Sequence, residues 1–237
     1  MKELSVTISN SHVDNKKEIK IPEIINLLQD IEGIHINELD EFNKFLIKEN
    51  VGVFLMYREV NIITKPKFSD KVTLSTYPFQ TNSVSGYRHI YLRDQDNNIL
   101  VNSTAFGAFI NLDTYLPVRV PKDIIKTIGD KEKDPDIIIE PRKIDFNDSL
   151  LKYTGSITVR KSHIDRYNHL NNAHYITFAL DFLEEINFDK IRAEYKKAFL
   201  IGDIIKMYKE LLGDKTIVVF KNELDEIYTV IEFSKNK

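Results

Sequence analysis

Three histidines, one aspartate and three asparagines fall within fourteen residues, SHIDRYNHLNNAHY at 162–175, in a chain with only six histidines. Imidazole exchanges protons near neutral pH, and a nearby carboxylate orients it or holds a water beside it, so the set suits general acid–base chemistry. Taken singly, each residue has a plain structural use: Asn171 or Asn172 caps a helix, Asp165 turns a loop, His169 satisfies a buried carbonyl. The combination of a charged aspartate and a titratable histidine at a helix start is how acid–base groups are placed. A metal site fits poorly. His169 and His174 are five residues apart and diverge by about 140° on a helix, whereas helical zinc pairs sit three or four apart. The chain has no cysteine and no G-x-S-x-G nucleophile elbow, which leaves hydrolysis by activated water, with no cofactor required.

The elements that position these residues are legible in the pattern around them. Tyr175, Phe178, Ala179, Phe182, Leu183 and Ile186 recur at helical spacing, while His174, Thr177, Asp181, Glu184 and Glu185 take the other side. With Asn171 or Asn172 as the cap, the amides of residues 172–174 point back at the loop and favour a polarised carbonyl there. A strand, YTGSITVR, precedes the motif, and four strand-like runs follow: IRAEYKKAF, DIIKMYKELL, TIVVFKN and IYTVIEFSK.

The first half repeats this plan. IPEIINLLQDI, with Pro22 in its first turn, and ELDEFNKFLIKEN, with Asp40 or Asn37 as cap, read as helices; an antiparallel meander runs from Phe54 to Leu116. KPKFSDKVTL and KAFLIGDIIKM each place a small residue and an aspartate between apolar strands, which indicates an internal duplication. Between the halves, 117–150 carries four prolines and charged runs and reads as a surface connector. An apolar fraction of 42% builds a real core, and a formal charge of −3 argues against nucleic-acid binding. No run approaches the roughly 20 apolar residues of a membrane span, and MKELSVTISNSHVDNKK has no signal-peptide core. With no cysteine, a cytoplasmic location is expected.

The motif resembles the D-x-N-x-H-V-N-N-x-x-Y signature of the acyl-ACP thioesterases, proteins of two fused hotdog domains. VFLMYREVNIITKPKFSDKVTLSTYPF resembles that family's first-half strand pair with its turn, DTYLPVRVP the end of that half, and AEYKKAFLIGD the second-half strand and turn. The resemblance implies an α+β fold of two tandem hotdog domains, each a long helix wrapped by a curved antiparallel sheet. Residues 1–120 would form an N-terminal domain with the acyl-chain tunnel, 121–150 a connector, and 151–237 a C-terminal domain with the catalytic loop. The implied reaction is hydrolysis of the thioester between a fatty acyl chain and the phosphopantetheine arm of acyl carrier protein, a step of fatty acid metabolism. Asp165 and His169 match the motif's catalytic Asp and His, and Asn171 and Asn172 its paired asparagines. The motif's middle Asn is Tyr167 here, with Asn168 one place later as a possible third catalytic group, and Tyr167, Asn171 and Asn172 are left to bind substrate. The family's downstream strand carboxylate is replaced by Ala198. Glu194, on the same face if the strand continues, would lie roughly 13 Å away.

The carrier partner is acidic, so Lys196 and Lys197, with Lys122, Lys126, Arg142 and Lys143 of the connector, are candidates for its docking surface. Two other readings compete: an acyl-CoA thioesterase, and a catalytically weakened double hotdog that binds acyl groups, which Ala198 favours. Oligomeric state stays open, a homodimer included, because fused hotdogs already supply the pairing that single ones obtain by dimerising.

Overall fold

The computed structural model describes residues 1–184 and 187–236. The chain forms two compact units, residues 1–20 with 26–140, and residues 21–25 with 141–237. In the first, strands β1 (Lys2–Thr7), β2 (Val51–Ile62), β3 (Lys71–Phe79), β4 (Ser85–Arg93) and β5 (Ile99–Asn111) lie in the order β1-β3-β4-β5-β2, and every pairing is antiparallel. In the second, β6 (Lys152–Thr158), β7 (Lys190–Tyr195), β8 (Ile204–Leu212), β9 (Lys215–Lys221) and β10 (Ile227–Ser234) lie in the order β7-β10-β9-β8-β6, again antiparallel.

The helices follow from amphipathic runs. α1 (Ile21–Glu38) carries Pro22 in its first turn, where a missing N–H costs nothing, and buries Ile24, Ile25, Leu28 and Ile31 at spacings of three and four. α2 (Asp40–Lys48) buries Phe42 and Leu46 in a cluster with Val51, Phe109, Val120 and Ile128. Neither expected cap acts there. α1 runs through Asn37 to Glu38, so Leu39 alone separates the helices, and it makes no side-chain cap bond. A short α3 (Lys122–Thr127) follows the first sheet.

α4 (Asn172–Asp181) is the second-unit helix and buries Tyr175, Phe178 and Ala179 as the periodicity requires. It stops at Asp181, so Phe182 and Leu183 follow the helix and Phe182 is exposed; Glu185 and Ile186 lie outside the described residues. One strand lies outside the sequence reading and one strand expectation is corrected. β1, an edge strand whose exposed and half-buried residues alternate, has too few apolar residues to stand out in the sequence. β7 ends at Tyr195, so Ala198 is not on a strand and shares no strand face with Glu194.

Segment 121–150 is tied down along its length. Lys131 N–H donates to the Pro78 carbonyl (2.9 Å) and Tyr91 Oη donates to Asp134 Oδ2 (2.5 Å). Further on, Asn147 N–H donates to Glu210 Oε2 at 2.8 Å, and Ile144 is buried with Ile217, Val219 and Val230.

Candidate functional site

The loop at 160–171 is built by its own polar side chains. After β6 a single 3-10 turn, Lys161–His163, is closed by His163 Nδ1, which accepts the Arg160 N–H at 3.1 Å. Asp165 then folds the chain back on itself. Its Oδ1 accepts the amides of Tyr167 (2.8 Å) and His169 (3.1 Å), while its own N–H donates to the His169 carbonyl at 2.8 Å. Closing so tight a loop requires a left-handed residue, and Asn168 takes it with φ 62°. Asn168 is therefore exposed at the turn, whereas His169, next in the chain, is buried.

Leu170 fastens the loop to the rest of the unit, donating its N–H to the Phe199 carbonyl at 2.8 Å. That bond brings the segment following β7 beside the motif, so Ala198 occupies a place next to the loop although it is off the strand. Asn171 is the helix cap: its Oδ1 accepts the Ala173 N–H (2.9 Å) and its carbonyl accepts the His174 N–H (2.9 Å). The amides of Ala173 and His174 are thus spent inside the protein, and the expectation that both polarise a substrate carbonyl is corrected. Asn172 is the first residue of α4, at the positive end of the helix.

The three histidines fall into two settings. His163 and His174 rings lie 4.9 Å apart, and both pack on Phe178. Burial lowers the His174 pKa against the pull of a Ser162 hydrogen bond and the charge of Glu23; burial, His174 and Arg160 lower that of His163. Burial also lowers the pKa of His169, offset in part by the negative charge of Asp165. At neutral pH His169 is therefore uncharged and able to accept a proton. Tyr167 is half-buried, with Arg166 over its ring at 4.8 Å and Arg166 Nη2 donating to its hydroxyl at 2.9 Å. Beneath the loop, the buried Tyr175 ring meets Tyr195, Phe199 and Phe220, and its hydroxyl accepts the Phe199 N–H at 3.4 Å.

The first unit contains the same loop without the chemistry. Ser11-His12-Val13-Asp14 repeats Ser162-His163-Ile164-Asp165. His12 Nδ1 accepts the Ser9 N–H at 3.1 Å; Asp14 Oδ1 accepts the amides of Lys16 (2.9 Å) and Glu18 (3.0 Å); Lys17 is left-handed at φ 62°. Isolated bridges close both loops, Val13 with Ile19 and Ile164 with Leu170. Glu18 stands where the second loop has His169, and Lys20, with no side-chain cap bond, stands where it has Asn171. The S-H-x-D repeat is a sequence signal that separates loop-building residues (His163, Asp165) from residues peculiar to one copy (His169, Asn171).

Of the docking candidates, Lys196 pairs with Glu194 (3.5 Å), Lys197 with Glu226 (3.1 Å) and Lys143 with Asp145 (3.1 Å), so part of their charge is already met within the chain.

A helix laid on an antiparallel sheet, twice in one chain, with a histidine loop leading into the second helix, is the double hotdog architecture of thioester hydrolases. Residues 2–128 match the family model of the acyl-ACP thioesterase N-terminal domain and residues 151–232 that of the C-terminal domain. The chain belongs to the acyl-ACP thioesterase family and is a thioester hydrolase. An acyl-ACP thioesterase from Bacteroides thetaiotaomicron is similar in structure with a TM-score of 0.86 and 19% identity, over 98% of this chain and 96% of that one. The 12:0-ACP thioesterase from Umbellularia californica is similar with a TM-score of 0.85 and 16% identity, again over 98% and 96%. At such identities these likenesses establish the fold. No curated protein matches the sequence significantly.

Proposed function

We propose that the protein hydrolyses fatty acyl-ACP to free fatty acid and holo-ACP, with His169 as the general base. The observation that carries this is a buried imidazole, kept uncharged by its surroundings, in a loop whose backbone is tied to Asp165 and which leads into the N-terminus of α4. Water attacks the thioester carbonyl carbon as His169 takes its proton, and negative charge develops on the carbonyl oxygen at the positive end of α4, whose first residue is Asn172. Collapse of the tetrahedral intermediate breaks the C–S bond, and the proton passes from His169 to the departing pantetheine sulfur. Asp165 shapes the loop and keeps a negative charge beside the imidazole; Asn168 makes the turn; Asn171 caps the helix; Tyr167, half-buried within the loop, is the substrate contact.

Replacement of His169 by Ala is expected to lower kcat for acyl-ACP by about a hundredfold or more with the fold intact. Unchanged turnover overturns the assignment. Turnover of the same acyl group on CoA should be at least about tenfold poorer than on carrier protein, because CoA lacks the acidic docking face; equal kcat/KM on both would favour an acyl-CoA thioesterase.

A second reading, an acyl-binding protein of weakened activity, is favoured by two departures from the family motif, Tyr167 for asparagine and Ala198 for a carboxylate. Ala198→Glu separates them. With His169 as base the change yields little or no gain, whereas a gain of tenfold or more means that the native site lacks its base.

A further inference from the structure

Beneath α1 the first-unit sheet does not present hydrocarbon alone. Cross-strand pairing puts Arg58 of β2, Ala105 of β5 and Arg88 of β4 in one row, and directly paired residues share a face. α1 covers that face: Arg58 Nη2 donates to Glu32 Oε2, and Arg88 Nη1 donates to His35 Nδ1 at 2.6 Å and to Thr76 Oγ1 at 3.3 Å. The small Ala105 lies between the two arginines.

Arg58 is 2% exposed, and both its Nε and its Nη1 are buried with no hydrogen-bond partner. A guanidinium offers five N–H donors, and only those on Nη2 are engaged here. Burying charged donors unpaired is strongly unfavourable, so a protein that keeps such a group needs something to satisfy it. The requirement is for acceptor atoms more than for charge. Glu32 and Asp130 offset the Arg88 charge, Glu32 also accepts from Arg58, and His35 is neutral because burial and Arg88 push its pKa down to about 4.

We propose that Arg58 determines specificity by donating Nε–H and Nη1–H to a neutral oxygen on the acyl chain, so that oxo- or hydroxyacyl thioesters are preferred over saturated ones. This rests on the acyl-ACP hydrolase reading and on the acyl group lying under α1.

The test compares kcat/KM of the full-length protein for carrier protein loaded with octanoyl, 3-oxooctanoyl, 3-hydroxyoctanoyl, 8-hydroxyoctanoyl and 7-carboxyheptanoyl groups. One of the neutral oxygenated chains is expected to exceed octanoyl by about tenfold or more, the scale of one hydrogen bond to a charged donor. R58M should bring that ratio to near one. R58K keeps the charge but not the fork, and covers the case in which R58M fails to fold. A ratio near one in the wild type, or a carboxylate-ended chain as the best substrate, overturns the proposal. Thermal shifts with the free acids separate the two readings. If no thioester is hydrolysed but an oxygenated acid stabilises the wild type more than octanoate does, the hydrolase reading fails and the Arg58 assignment stands. If octanoyl-ACP turns over as well as every oxygenated chain and all the acids bind alike, the hydrolase reading stands and the Arg58 assignment fails.

Discussion

Asp165 and Asp14 hold two backbone amides each in loops of the same geometry, yet only one of these loops contains a buried histidine. The pair therefore separates loop-building from catalysis. Asp14→Ala should cost about 1–2 kcal/mol of stability through its two lost acceptor contacts and leave kcat unchanged, as thermal denaturation and turnover measured together will show. Asp165→Asn keeps an acceptor oxygen, so its stability should stay near wild type, but it removes the charge that raises the His169 pKa. The acid limb of the kcat/KM profile, which lies below the ordinary histidine value of about 6.5 in the wild type, should then move to still lower pH. A limb that does not move means that Asp165 acts through backbone geometry alone. His169, Asn171 and Arg58 differ in legibility. The first two stand out from spacing before a helix, whereas Arg58 sits in a strand run, YREVN, where charge normally marks a solvent face; only the meeting of β2 with α1 shows it buried.

At the scale of elements, α4 depends on how closely β6 approaches it. A Cβ added at Gly155 would lie 2.3 Å from Phe182 Cε1 and 2.5 Å from Cδ1, so the ring at the end of α4 rests on a bare backbone. Gly155→Ala should destabilise the second unit by about 1–3 kcal/mol, and Phe182→Ala in the same chain should recover part of the loss. Denaturant titration of the two singles and the double measures that coupling; strictly additive effects would mean that the ring moves aside freely. Periodicity reveals α1, α2, α4 and the meander, because burying one face requires period 3.6 or 2. It does not fix ends. Asn37 and Asp40 are good capping residues by type, but α1 continues through Asn37, and α2 begins directly after Leu39.

For the whole molecule, the histidines link folding to pH. Burial lowers the pKa of His35, which is 6% exposed, and of His89, which is wholly buried, to about 4 each; His163, His169 and His174 are lowered too. All five bind protons less readily folded than unfolded. Stability is thus fully present above about pH 6.5 and is lost as pH falls toward 4, by up to roughly 3 kcal/mol each for His35 and His89. Melting temperature should fall steadily between pH 7 and pH 4.5, and the His35→Gln, His89→Gln variant should flatten that slope. A wild-type profile flat across this range would show that these rings are hydrated and titrate normally.

The sequence by itself determined the class of fold, the duplication, the loop before α4 and its family signature. All of these are written in local spacing: apolar period, a cap before a helix, a polar run between strands. Tertiary structure decided which member of each polar set is buried. Burial puts His169 inside and Asn168 at the turn's exposed corner, spends the amides of Ala173 and His174 on Asn171, ends β7 before Ala198, and seals Arg58 beneath a helix that begins 37 residues earlier. Protonation state and unmet hydrogen-bonding capacity depend on water being excluded from all sides, and the neighbours that exclude it come from distant parts of the chain.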